Sequence, residues 1–158
     1  AQEEAAQRLS ENHSSYCAFV DPWSTLHAPA VVQRGVDPTR LLVVRPSLDE
    51  LARVVVKMAE KRVFSMIVVD LAAPPGACTG LDREVRLDRW GSVVRRLALA
   101  VERSATTVLL LTDRLAPRSM PLPVSLKIEF SSMSSDRWAA RIAKDRYGRV
   151  RGPVAIAS

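Results

Sequence analysis

Short, wholly apolar segments that alternate with amphipathic stretches constrain the fold of this 158-residue chain more than any other feature. The predicted strands are Tyr16–Val20, Leu41–Val44, Met66–Val69 and Val108–Leu111. The predicted helices between them span residues 26–33, 47–62 and 82–103, with a further helix over residues 1–13. Strands without polar alternation are typical of a parallel sheet that helices cover. We therefore predict an α/β fold around a mostly parallel sheet.

Local signals mark where two of these helices begin and end. Ser47 precedes the second helix and Glu50 follows three residues later, which is the capping-box pattern. Gly35 lies just past the first helix, where a residue that tolerates positive φ is favoured. Both signals support the predicted boundaries.

The last part of the chain has a different character. Residues 114–123, RLAPRSMPLP, contain three prolines and cannot form a central strand. The segments VSLKIEF, RWAARIAK and PVAIA then read as successive strands with no helix between them. This pattern predicts antiparallel strands at one edge of the sheet, within a single domain over residues 1–158.

Positive charge is concentrated in the second half of the chain. Residues 81–158 carry 15 basic and 8 acidic side chains, whereas residues 1–80 carry 8 and 9, which together give the net +6. Arginine predominates, and its planar fork suits phosphate groups. We predict a DNA- or partner-binding surface, with the alternative of an edge hairpin that charge protects from strand pairing. The candidate residues are Arg114, Arg118, Arg137, Arg141, Lys144, Arg146, Arg149 and Arg151.

Composition argues against several other classes of protein. No segment reaches the roughly 20 apolar residues that span a bilayer, and no secretory signal pattern is present. Cys17 and Cys78 are far apart and belong to no metal-ligand cluster, so free thiols in a reducing compartment are expected. These features predict a cytoplasmic protein with no membrane contact and no metal.

Charged residues follow the predicted strands, where parallel α/β sheets bind ligands. The strand MIVVD, ending in Asp70, has the form of a Walker B motif, but no G-x-x-x-x-G-K-[ST] loop accompanies it. Asp21 and Asp70 are expected on neighbouring strand ends, where a carboxylate pair suits acid–base work or a metal ion. Without a third ligand, a capping or turn role is the stronger interpretation.

The order of residues resembles the core of RecA recombinases. Residues 17–44, CAFVDPWSTLHAPAVVQRGVDPTRLLVV, resemble the segment after the phosphate-binding helix, and MIVVD falls at the Walker B position. TVLLLTD and SLKIEF resemble later core strands. RIAKDR resembles the strand whose Lys-x-Lys pair reaches toward nucleotide in a filament, here Lys144 and Arg146. The resemblance implies a RecA-like, P-loop-type three-layer core without RecA's polymerisation segment or C-terminal domain.

Two departures from RecA bear on catalysis. The position of the catalytic glutamate is Trp23, and that of the γ-phosphate sensor is Asp113. An indole cannot act as a general base, and a carboxylate at a phosphate site opposes ATP. Residue 1 falls just after the place where the Walker A loop would end. We expect a degenerate nucleotide site of Asp70, Trp23, Asp113, Lys144 and Arg146, without catalysis and without ATP or magnesium as cofactors.

The DPW sequence and the degraded site resemble the ImuA family, relatives of both RecA and the division inhibitor SulA. That resemblance implies a non-catalytic accessory role in SOS-induced translesion synthesis, with ImuB and RecA as partners and possible DNA contact near the nucleoid. Two alternatives remain: a SulA-type inhibitor that binds FtsZ, and an ATP-dependent recombinase fragment without its Walker A loop.

Overall fold

The structure, a computed structural model, describes residues 16–72, 90–112, 123–134, 137–148 and 154–157. They belong to two compact units, residues 1–116 and 117–158, each with its own sheet. The predicted helix over residues 1–13 and the first part of the helix over 82–103 lie outside the described residues. The expectation of a single domain stays a prediction.

The first unit contains a four-stranded, wholly parallel sheet in the order β2-β1-β3-β4. Its strands are β1 (Tyr16–Val20), β2 (Leu41–Val44), β3 (Phe64–Asp70) and β4 (Thr107–Leu111). Its helices are α1 (Ala28–Gln33), α2 (Leu48–Lys61) and α3 (Trp90–Val101). The predicted α/β fold around a parallel sheet is confirmed.

The hydrophobic core lies on one face of this sheet. Ala18 and Val20 of β1 alternate with outward-facing residues and lie beside Ile67 and Val69 of β3, and all four are buried. Helix α2 contacts β3 and α3. The buried helical residues are Leu51, Val55, Val56, Ala59, Trp90, Val94 and Leu97. Burial of these apolar faces stabilises the unit by roughly 25 cal/mol per Å² of apolar surface removed from water.

The opposite face of the sheet is more open. Met66 of β3 and Leu109 of β4 are 40% and 45% exposed, and Phe19 is half-buried. These residues are apolar, so the strands lack the polar alternation of a sheet with one solvated face. Helix α1 lies near this face at the strand ends, because Phe19 and Val31 line the same cleft.

The helix boundaries follow the predicted signals, with one correction. Among the described residues, the Ser47 hydroxyl makes no capping hydrogen bond, so the predicted capping box is not formed. The Glu50 carboxylate instead forms an ion pair with Arg53, one turn along the same helix. Gly35 follows α1 with φ of 84°, as its position predicts.

The second unit is a three-stranded antiparallel sheet in the order β5-β6-β7. Its strands are β5 (Leu126–Ser134), β6 (Arg137–Asp145) and β7 (Val154–Ala157). The predicted antiparallel strands at the C-terminal end are therefore present, and they form a sheet of their own. Residues Ile128, Phe130, Ala140 and Ile142 share one face of the β5–β6 hairpin by register.

Candidate binding sites

Asp21 organises the loop that leaves β1 at the carboxyl edge, the edge of the parallel sheet where its strands end. Its side chain is fully buried and accepts hydrogen bonds from the backbone N–H groups of Thr25 and Leu26, at 2.9 and 3.1 Å. Arg45 Nε, just past β2, lies 3.5 Å from Asp21 Oδ2. Both carboxylate oxygens are therefore engaged in holding the loop.

Asp70 ends β3 and lies next to the end of β1, as the sequence predicts. The Thr25 hydroxyl joins the two carboxyl groups, lying 3.3 Å from Asp21 Oδ1 and 3.3 Å from Asp70 Oδ2. The backbone N–H of Ala72 donates to Asp70 Oδ1 at 3.1 Å. A threonine hydroxyl carries one proton, so it can donate to only one of these carboxylates at a time.

The two neighbouring carboxyl groups have pKa values shifted in opposite directions. Burial raises the pKa of Asp70, and the charge of Asp21 adds to this against hydrogen bonds from Ala72 and Thr25. Burial also raises the pKa of Asp21, but the hydrogen bonds from Thr25 and Leu26 and the charge of Arg45 outweigh it and leave that pKa below its ordinary value. A proton that reaches the pair therefore binds Asp70 first.

Trp23 lies in the Asp21 loop with its side chain half-buried. Its indole Nε1 is buried and has no hydrogen-bond partner among the described residues. The next residue, Ser24, has φ of 57°, a left-handed conformation that is uncommon for a residue other than glycine. An indole offers one N–H donor and no acceptor, so this loop presents no base at that point.

An open cleft of about 490 Å³ lies between α1 and the carboxyl edge. Its walls are apolar at Phe19, Val31 and Val36 and polar at Thr25, Arg34 and Asp70. This is the place where parallel α/β sheets bind ligands. The cleft offers a surface for binding that carries one cation and one carboxylate.

At the carboxyl edge, the described residues offer a cation the carboxylate of Asp70 and place an indole at Trp23. Asp70 keeps lone pairs beyond its two hydrogen bonds and could meet a cation at one position. Among the described residues, however, no group of three His, Cys, Asp or Glu side chains could hold a metal ion. Trp23 cannot position an attacking water as a carboxylate does.

The β5–β6 hairpin carries a cluster of charged side chains in which one carboxylate forms ion pairs with two cations. Lys127 Nζ lies 3.0 Å from Glu129 Oε1, and Arg141 Nη2 lies 2.5 Å from Glu129 Oε2 across the strand pair. The hydrogen bonds from Arg141 and then Lys127 lower the pKa of Glu129 to about 2. Glu129 is therefore ionised throughout the physiological pH range.

The predicted site residues fall in both units. Asp70 and Trp23 lie at the carboxyl edge, and Arg141 and Lys144 lie on β6 with Arg146 just beyond it. Arg137 is the first residue of β6, opposite Ser134. The grouping of Lys144 and Arg146 with Asp70 in one nucleotide site stays a prediction. Outside the described residues lie Asp113, Arg114, Arg118, Arg149 and Arg151.

Three residues of these sites were not predicted from the sequence. Thr25 contacts Asp70, which lies 45 residues further along the chain, so no local pattern indicates that contact. Lys127 and Glu129 are the alternate residues of β5, and the K-x-E spacing places both on one side of a strand. The K-x-E spacing in one strand, together with the arginine of RIAK in the next, is a sequence signal for an ion-pair cluster across the hairpin.

Comparison with solved structures supports the fold that these observations define. A crystal structure of the RadB recombinase matches with a TM-score of 0.56, over 85% of this chain and 71% of that chain, at 14% sequence identity. No protein-family model matches the chain, and no curated protein is significantly similar to it in sequence. The chain thus has a RecA-like recombinase fold, which confirms the predicted class of fold.

A membrane span requires a helix of roughly 20 apolar residues, and the described helices are α1, α2 and α3. Within the part of the chain that the structure describes, none of them is long and apolar enough to cross a bilayer.

Proposed function

We propose that this chain is a RecA-like protein without ATPase activity, which acts by binding other macromolecules. The observation that carries the proposal is Trp23, an indole in the loop after β1. The resemblance to RecA places the catalytic glutamate at this position. Without a carboxylate there, no group in the loop can take a proton from an attacking water or hold that water in line.

The arrangement around Trp23 supports the same proposal. Asp21 is buried and committed to the backbone of Thr25 and Leu26, so it cannot substitute for the missing base. Asp70 accepts hydrogen bonds from the backbone N–H of Ala72 and from the Thr25 hydroxyl, so both of its oxygens already have partners within the chain. The carboxyl edge lies where a parallel α/β sheet binds ligands, while its polar groups stabilise the fold.

The cellular role that we propose is that of an accessory factor in SOS-induced translesion DNA synthesis. The resemblance of the DPW sequence and the degraded nucleotide site to the ImuA family supports this role, with ImuB and RecA as binding partners. The basic second half of the chain supports contact with DNA. A cytoplasmic location near the nucleoid is part of the same proposal.

The ATPase part is tested with a chain extended upstream of residue 1, because the resemblance places the phosphate-binding loop there. Nucleotide binding is measured by calorimetry, and phosphate release is measured with and without single-stranded DNA, with RecA as the positive control. We expect no phosphate release above background. Tight ATP binding with turnover would instead support the recombinase fragment, which the likeness to RadB makes the second candidate.

The partner part is tested by binding assays with purified ImuB, RecA and FtsZ. We expect capture of ImuB or RecA and no co-sedimentation with FtsZ. Binding to FtsZ, together with filamentation of cells that express the chain, would favour the SulA-type inhibitor.

A further inference from the structure

We infer that one face of the β5–β6 hairpin binds the phosphate backbone of single-stranded nucleic acid, and that Glu129 of this face competes with phosphate for its cations. The inference rests on the proposed function and deepens it, because it assigns the nucleic-acid contact to a particular surface. We call this surface the basic face. It consists of Lys127, Glu129, Arg141, Lys144 and Arg146.

A β-bulge brings these residues to one side of the hairpin. In a regular strand, Arg141 and Lys144 would point to opposite faces, since successive side chains alternate. The register pairs Lys127 with Lys144 but Ile128 with Ile142, so Ala143 is an extra residue without a partner. Because directly opposite residues share a face, the bulge places Lys144 on the side of Lys127.

Contacts fix the rest of the basic face. Glu129 bonds both Lys127 and Arg141, which therefore lie on the same side of the hairpin. The backbone N–H of Arg146 donates to the carbonyl of Ser125 at 2.8 Å, so pairing continues beyond the end of β6. Arg146 follows in the turn after β6, beside this face, and is exposed. Among the described residues, the basic face therefore has three cations and one carboxylate on its strands, with Arg146 in the turn next to them.

The arrangement of charge on this face favours an anionic ligand. Lys127 and Lys144 lie directly opposite each other, and like charges in that position destabilise a strand pair. A phosphate can be contacted by two cations that lie opposite each other on one face of a strand pair. The Arg141 side chain is 70% exposed although it is bonded to Glu129, so its remaining N–H donors can reach a ligand.

The chemistry of the face favours nucleic acid over an acidic protein. Protein interfaces are built around buried apolar and aromatic anchors, and the apolar residues Ile128 and Phe130 lie on the other side of the hairpin. A row of cations that follows an extended strand matches the way single-stranded nucleic acid is bound along its backbone.

The inference is tested by the salt dependence of binding to a fluorescently labelled single-stranded oligonucleotide. The double variant Lys127→Gln, Lys144→Gln should reduce the slope of log affinity against log salt by about 1.4, at about 0.7 per phosphate, and weaken binding at least about tenfold at low salt. The matched control is Lys57→Gln, Arg95→Gln, which removes the same charge from exposed positions of α2 and α3 and should leave the slope unchanged.

Two further variants test the details of the basic face. Glu129→Gln should tighten binding by about threefold and steepen the salt dependence, because it releases two cations to phosphate. Deletion of Ala143 should leave binding close to that of the unchanged chain, because it removes the bulge and places Lys144 two positions after Arg141, on the same side of a regular strand.

The inference is overturned if the double variant binds the oligonucleotide like its control, or if Glu129→Gln weakens binding. If the double variant loses RecA or ImuB but keeps the oligonucleotide, the face binds an acidic protein and the proposed function stands. ATP turnover by the extended chain would refute the proposed function without altering the result for the hairpin.

Discussion

The carboxyl edge of the parallel sheet and the basic face of the β5–β6 hairpin use charged residues in opposite ways. At the carboxyl edge, Asp21 is fully buried. Its oxygens accept hydrogen bonds from Thr25 and Leu26 and form an ion pair with Arg45. On the basic face, Lys127 and Arg141 share the carboxylate of Glu129, and Arg141 remains largely exposed. The first arrangement stabilises the chain, whereas the second leaves positive charge in excess.

This difference indicates where binding should be sought in this RecA-like fold. The position at the strand ends points to the carboxyl edge, because that is where such sheets bind ligands. The polar groups of the carboxyl edge already have hydrogen-bond partners, so they would gain little from a ligand. The chemistry of the residues therefore favours the hairpin as the binding surface. Stability and binding measurements on matched variants separate the two regions.

The largest effect is expected from Asp21→Ala. This change removes both acceptor oxygens and leaves the N–H groups of Thr25 and Leu26 without their acceptors in a part-buried loop, so we expect a loss of about 2–4 kcal/mol in the free energy of unfolding. Urea denaturation followed by circular dichroism measures it. Asp37→Ala is the matched control, because Asp37 accepts from Thr39 in the same way at an exposed position.

We expect a much smaller loss for the Asp37 control. Equal losses for the two variants would contradict the structural role that we assign to Asp21. The loss at Asp21 should also depend on pH. Because the pKa of Asp21 is lowered, its contribution is present above the unfolded value of 3.8 and disappears as the pH falls through the folded value.

A smaller effect of opposite sign is expected from Asp70→Asn. The pKa of Asp70 is raised, so the protonated form favours folding, and that advantage is lost as the pH rises through the folded pKa. The neutral amide should therefore stabilise the chain at pH 7, by on the order of 0.5 kcal/mol. Thermal unfolding at pH 7 and at pH 3 tests this. A gain that persists at pH 3 would show that charge is not its cause.

The smallest effect on stability is expected from Glu129→Gln, although this variant should change nucleic-acid binding. Ion pairs at exposed positions contribute little to folding, because solvent and salt screen them. The unfolding midpoint at neutral pH should stay within error of that of the unchanged chain. A large loss of stability would place Glu129 with Asp21, among the residues that hold the fold together.

Much of the fold could be predicted because its determinants are local. Apolar runs such as Leu41–Val44 correctly located the strands, and the parallel order placed Asp70 beside Asp21. The capping box failed because a surface glutamate has several partners of similar energy, and Glu50 pairs with Arg53. Local patterns rank such partners poorly, since each contact is worth only tenths of a kcal/mol.

The features that define the candidate sites depend on contacts between distant residues. The bulge at Ala143 exists only relative to the register of β5, which no window of β6 contains. A regular strand would have separated Arg141 from Lys144, so the sequence correctly marked these cations but could not show that they share a face. In the same way, Thr25 meets Asp70 only after the sheet has formed.

The fluorescence of the half-buried indole of Trp23 can report on binding at the carboxyl edge. Trp23 lies in the Asp21 loop at the carboxyl edge, whereas Trp90, the first residue of α3, is buried. A small molecule that settles beside the loop should alter the emission of Trp23 and leave that of Trp90 unchanged. Single Trp→Phe replacements would assign the signal, so occupancy of the edge can be followed without a label.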